Sequence, residues 1–152
     1  MTNNDILRRV RYIFDLGDDA MIALFALAER EVTRSEVSSW LKKDEDPDFR
    51  ECQDVDLAGF LNGLIIDRRG RREGPLPTPE TYLTNNLILT KLKIALSLTS
   101  DDIIEILALA DYRMSKHELS ALFRKPTHRS YRPCLNQMLR NFLAGLQRKH
   151  RP

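Results

Sequence analysis

Asp44, Asp46 and Asp48 stand at alternate positions, the spacing with which a calcium loop begins its set of oxygen ligands. Such a loop also needs a glycine at its sixth position for a sharp turn and a bidentate glutamate at its twelfth. Phe49 and Val55 occupy those places, so no calcium site is expected. His117, His128 and His150 show no paired zinc-ligand spacing with Cys52 or Cys134. There is no glycine-rich phosphate cradle and no Gly-x-Ser-x-Gly elbow. No metal, no cofactor and no catalytic residues are advertised, and the expectation is a protein that is not an enzyme. Arg50 and Arg132 each precede a cysteine by two residues, but a reactive thiol needs a basic or helix N-terminal setting. The simpler expectation is that both thiols are small buried hydrophobes.

The elements that would position any of these residues follow from composition and pattern. The chain has 152 residues, 42% hydrophobic and 30% charged, the range of a folded protein with room for one ordinary domain or two small ones. With 24 basic and 22 acidic residues the net charge is +2, which demands neither nucleic acid nor an anionic membrane. The start, Met1 to Asp5, lacks the basic and apolar regions of a signal peptide. The longest apolar run, Met21 to Ala28, falls far short of the roughly 18 residues of a membrane span. Two cysteines make no disulfide framework, so a cytoplasmic location with free thiols is expected.

A shift of 82 positions exposes an internal duplication. Thr2-Asn3-Asn4 falls on Thr84-Asn85-Asn86, Ala26-Leu27-Ala28 on Ala108-Leu109-Ala110, and Phe60-Leu61 with Gly63-Leu64 on Phe142-Leu143 with Gly145-Leu146. Residues 2–64 match residues 84–146 at 21 of 63 positions without a gap, against about four by chance.

Each copy predicts four helices and no sheet, an all-α fold of two homologous four-helix modules packed pseudo-symmetrically. Ile6, Leu7, Val10, Ile13 and Phe14 form one stripe of the first helix, matched by Ile88, Leu89, Leu92, Ala95 and Leu96. The second, Asp18 to Ala28 or Ser100 to Ala110, is apolar almost all round, which predicts a central helix buried on several sides. The third opens on a capping box, Thr33 with Glu36 or Ser115 with Glu118. A polar loop follows, then a fourth helix carrying Leu57, Phe60, Leu61 and Leu64 or Leu139, Phe142, Leu143 and Leu146. The expected organisation is a first repeat over residues 1–66, an Arg/Gly/Pro linker over 67–83, and a second repeat over 84–152 with a basic tail that frays.

The Asn-Asn-x-Ile-Leu and Phe-Leu-x-Gly-Leu patterns, with the Arg50-x-Cys52 and Arg132-x-Cys134 pairs, resemble the bacterial YehS family, a duplicated domain of unknown function. The resemblance implies a small cytosolic bacterial protein and supplies no catalytic or binding residues.

Polar residues that recur in both copies suggest shared structural roles. Asn3 or Asn4 is expected to cap the first helix, Asp19 to favour a helix N-terminus, and Arg50 and Arg132 to tie the long loop to helix carbonyls or to Asp19 and Asp101. Charge separates the copies. Residues 2–64 hold 8 basic and 14 acidic side chains, whereas residues 84–146 hold 9 and 5. The loop Asp44-Glu-Asp-Pro-Asp48 with Glu51 has become Pro126-Thr-His-Arg-Ser-Tyr-Arg132 in the second copy. Oppositely charged loops set a choice of partner, so Lys43, Asp46, Arg50, Lys125, Arg129 and Arg132 are the candidate binding residues of a non-catalytic interaction module. Its expected partner is a protein or a second copy of the chain, with the loops free to pair within the molecule as an alternative. The alternative function is nucleic-acid binding by Arg68, Arg69, Arg71, Arg72, Lys116, Arg124, Arg148 and Lys149. A helix-turn-helix formed by the second and third helices is the weaker form of it, because Thr33 and Glu36 are committed to capping and Glu29, Glu31 and Glu36 repel DNA.

Overall fold

The computed structural model describes residues 1–152 and contains eight α-helices and no β-strand. Two compact units, Met1–Leu83 and Thr84–Pro152, each hold four helices. The first contains α1 (Asn3–Ile13), α2 (Asp18–Leu27), α3 (Arg34–Leu41) and α4 (Asp54–Arg69). The second contains α5 (Asn85–Ala95), α6 (Ser100–Leu109), α7 (Lys116–Ala121) and α8 (Asn136–His150). No helix is long and apolar enough to cross a membrane.

Local chemistry starts and stops these helices. The Thr2 hydroxyl accepts from the Asp5 N–H at 3.1 Å, and the Asp5 carboxylate accepts from the Thr2 N–H at 3.0 Å. Thr84 caps α5 through the Leu87 N–H at 3.1 Å. The threonines therefore cap the first helix of each copy, and the asparagines beside them, expected in that role, are free for another. The boxes at Thr33 with Glu36 and Ser115 with Glu118 form as expected. At the other ends, Asp15, Glu29, Ser97 and Asp111 adopt φ between 52° and 58°. Each sits just past a helix whose last carbonyls are satisfied by paired turn bonds, such as Leu16 N–H to Arg11 at 3.0 Å. Residues 97 and 111 are residues 15 and 29 shifted by 82, so the duplication extends to backbone conformation.

The central helix of each unit is the fourth, not the second. In α4 every residue from Asp56 to Leu64 is buried. In α2 only Met21, Leu24 and Phe25 are, while Ala20, Ala23 and Ala26 are exposed and Leu27 is 39% exposed. The reason is a close backbone approach at glycine: α2 meets α4 along one face, and a β-carbon on Gly63 would stand 1.8 Å from the Leu24 carbonyl oxygen. The second unit repeats this: a β-carbon on Gly145 would stand 2.0 Å from the Ile106 carbonyl oxygen. Phe25 fills the space beside the contact, its ring 5.3 Å from Phe60 and 5.6 Å from Trp40.

Two stretches expected to be irregular are helical. Arg68 and Arg69, placed by the sequence in the linker, form the last turn of α4, which stops at Gly70 with φ 83°. Arg148 and Lys149, placed in a fraying tail, belong to α8. Both helices continue because basic side chains favour the negative end of a helix dipole.

Candidate functional site

A buried asparagine in each unit fixes the loop that follows the third helix. Asn4, fully buried, donates to the Trp40 carbonyl at 3.0 Å and the Arg50 carbonyl at 2.8 Å, and accepts from the Cys52 N–H at 3.0 Å. Asn86 repeats all three bonds, to Leu122 at 3.0 Å, Arg132 at 2.9 Å and from Cys134 at 2.8 Å. Asn3 and Asn85 add a bond to the Cys52 and Cys134 carbonyls, each at 3.0 Å. A side-chain amide can satisfy both backbone N–H and C=O groups, which is why asparagine suits this position. The recurring Asn-Asn pair is a clamp that holds both ends of the loop to the first helix.

Inside the clamp the loops trace the same path with different chemistry. Asp46 N–H donates to Lys43 and Phe49 N–H to Asp46, both at 3.0 Å; His128 to Lys125 at 2.8 Å and Tyr131 to His128 at 3.0 Å are their counterparts. The Asp46 carboxylate accepts from the Asp48 N–H at 2.8 Å. In the second unit the His128 Nδ1 accepts from the Ser130 N–H at 2.9 Å, an imidazole standing in for the carboxylate.

Beside each loop lies a hollow, and the two hollows differ. In the first unit it is polar, about 550 Å³, lined by Ser35, Ser38, Ser39, Lys42, Asp48 and Arg50 among others. The nearby start of α4 is closed by an ion pair: Arg30 Nε donates to Asp56 Oδ1 at 3.1 Å, with Nη2 on the same oxygen, and Asp56 also accepts from the Gln53 N–H at 3.3 Å. At the equivalent positions the second unit has Tyr112 and Met138. No ion pair forms there; α8 starts at Leu135 without a side-chain cap or an acid in its first turn. The result is a groove of about 690 Å³ with Tyr112, Met114, Leu122, Leu135 and Met138 on its apolar side and His117, Arg124 and Arg132 at its edge. A second depression of about 390 Å³, reaching Ile104 and Ala108, shares Tyr112 and Met114.

Both thiols are buried and disfavoured as thiolates. Burial pushes the Cys52 thiol up to about 12, helped by the Asp56 charge, and burial alone pushes Cys134 up to about 11. No three His, Cys, Asp or Glu side chains converge as metal ligands. Glu118, the one acid lining the groove, is held below the usual carboxylate range by its bonds to the Ser115 backbone and side chain, and is occupied by that cap.

Comparison with known sequences places this architecture. The family described as "Protein of unknown function (DUF1456)" matches residues 3–70 and again residues 85–151, one match per unit. The uncharacterized protein YehS of Escherichia coli (strain K12) is 43% identical over 147 residues, covering 96% of this chain and 94% of that protein. The chain belongs to the DUF1456 family. No solved structure matches it.

In this DUF1456 chain the residues singled out from sequence divide between the hollows and the outer loop. Arg50 lines the polar hollow and Arg132 the apolar groove, where Arg124, assigned to the nucleic-acid alternative, joins it. Lys43, Lys125 and Arg129 line neither, and serve the loop through their backbone carbonyls. Arg132 Nη1 donates to the Tyr131 carbonyl at 2.9 Å, so its guanidinium steadies its own loop and does not reach Asp101 as expected. Asp101 pairs with Lys116 at 3.1 Å, and Asp19 pairs with Arg34 in place of Arg50. Among the remaining cations, Arg68 stacks 4.8 Å from the Phe14 ring centroid, Arg71 lies 3.8 Å from Glu29, and Arg148 bonds the Leu109 carbonyl at the end of α6. The sequence reading missed the exchange of Arg30 and Asp56 for Tyr112 and Met138. Its signal was a polar pair becoming an apolar pair at the duplication offset.

Proposed function

We propose that this DUF1456 chain is a non-catalytic cytoplasmic interaction module that binds protein through the regions following its third helices. The observation that carries this reading is the second-unit groove, where exposed Leu135 and half-buried Tyr112 and Met114 stand beside Arg124 and Arg132, the two arginines on a loop clamped at both ends. Apolar surface edged by arginine is the composition of protein-recognition patches, and a fixed loop lowers the entropic cost of binding. Both thiols are buried and held well above the ordinary thiol range, which suits a role that does not use them as nucleophiles. The nucleic-acid alternative draws on cations of which Arg68, Arg71, Lys116 and Arg148 already contact rings, acids or a carbonyl of their own unit.

Affinity capture from native lysate, split by nuclease treatment, tests the reading. Partners retained after nuclease and weakened by Arg129→Glu with Arg132→Glu are expected. Recovery abolished by nuclease, or indifferent to both reversals, overturns it.

A further inference from the structure

We infer that the second-unit groove takes an acidic protein segment carrying a bulky apolar side chain, an inference that rests on the interaction-module reading above. The apolar component follows from the lining. Half-buried Tyr112 and Met114 line the groove, Leu135, 68% exposed, adds the most open apolar side chain, and buried Leu122 and Met138 lie at its floor. The acidic component follows from charge. Two arginines, Arg124 and Arg132, line the groove with His117, against one carboxylate, Glu118, which the Ser115 cap holds in place.

The first unit shows what this place holds when it is closed from within. There Asp56 occupies the Met138 position and Arg30 the Tyr112 position, and the carboxylate lies on the guanidinium with the Gln53 N–H beside it. Asp54, at the Asn136 position, adds a second carboxylate that accepts from Asn3 at 2.6 Å and from the Leu83 N–H at 2.8 Å. The second unit has lost both acids and kept a basic surround. A partner's carboxylates pair with Arg124 and Arg132, and its apolar side chain covers Tyr112, Met114 and Leu135. Arginine suits this task because its planar fork matches a carboxylate.

The test is an amide-correlation NMR titration of the full chain with three blocked hexapeptides, each taken to about 1 mM, the range in which weak peptide binding is read. The first is Asp-Glu-Leu-Phe-Asp-Glu; the second replaces its Leu-Phe by Ser-Ser; the third replaces its acids by lysine. The first alone is expected to shift the Tyr112, Leu122 and Leu135–Met138 signals. Arg124→Glu with Arg132→Glu is expected to weaken it at least tenfold. So is Tyr112→Arg with Met138→Asp, a transplant of the first unit's ion pair made together with Asn141→Gly because Arg30 lies against Gly59 in the first unit, its fold checked by the dispersion of the remaining amide signals. No shift with any peptide, equal shifts with the serine or lysine peptide, or shifts mapping elsewhere overturns the inference. Signals that move on dilution without peptide show the groove filled by a second copy, which also overturns it. Lysate capture repeated with the transplant variant separates the two claims: capture retained while the peptides fail sinks only this inference, and capture absent in the parent chain sinks the interaction reading.

Discussion

Gly63 lies against Leu24 so closely that a β-carbon would come within 1.8 Å of the Leu24 carbonyl oxygen, and Gly145 stands in the same relation to Ile106 at 2.0 Å. Backbone cannot yield as a flexible side chain can. Gly63→Ala and Gly145→Ala are each expected to destabilise their unit by about 3 kcal/mol, the upper range for overpacking, read as a lower urea midpoint. Gly59→Ala is the control. Its β-carbon would meet only side-chain atoms of Arg30, Cδ at 2.6 Å, which can shift at some cost to the Asp56 pair, so the loss is expected to be smaller, about 1–2 kcal/mol.

Asn4 satisfies three backbone groups at once. Asn4→Ala strands them in the interior and is expected to cost about 3 kcal/mol in a denaturant titration. Asn4→Asp, nearly the same shape, is expected to be no better, because a carboxylate cannot donate to the Trp40 and Arg50 carbonyls.

Both thiols ionise at higher pH in the folded protein than in the unfolded chain. Above the ordinary thiol range the unfolded state gives up protons that the folded state keeps, so stability falls as pH rises. The contribution is complete below the unfolded value, about 8.5, and is lost progressively toward about 11 for Cys134 and about 12 for Cys52. Urea titrations between neutral and strongly alkaline pH are expected to show a steeper decline for the parent chain than for Cys52→Ala with Cys134→Ala. Thiol reagents at neutral pH are expected to label the unfolded chain far faster than the folded one.

Glu29 holds a φ of 58° that glycine adopts without a β-carbon penalty. Glu29→Gly is expected to raise stability by up to about 1 kcal/mol, since the ion pair it gives up, with Arg71 at 3.8 Å, is exposed. A rise in the urea midpoint checks it.

What the sequence disclosed was local or repeated. The Thr33 and Ser115 boxes span three residues, and helix spacing is a property of adjacent turns, so both were legible. The role of Asn4 was not, because its partners lie 36 and 46 residues along the chain. Helix α2 looked central because alanine counts as apolar, yet Ala20, Ala23 and Ala26 face outward, while the small residues that do set the packing, Gly63 and Gly145, carry no side chain to form a pattern. Charge divergence pointed to the loops after α3 and α7, beside which the two hollows lie. Of the residues it singled out, Arg50 and Arg132 line the hollows and Lys43, Asp46, Lys125 and Arg129 do not, whereas the groove is completed by Tyr112 and Met138, which only the fold brings beside Arg124 and Arg132.

Where a partner touches the chain distinguishes the apolar groove from the polar hollow. A photoreactive benzophenone side chain replacing Leu135, in the apolar groove, is expected on irradiation in living cells to yield a nuclease-resistant protein adduct that the same group at Asp48, in the polar hollow, does not. Adducts from Asp48 alone, adducts that nuclease digests, or none from Leu135 in a chain that remains folded would contradict it.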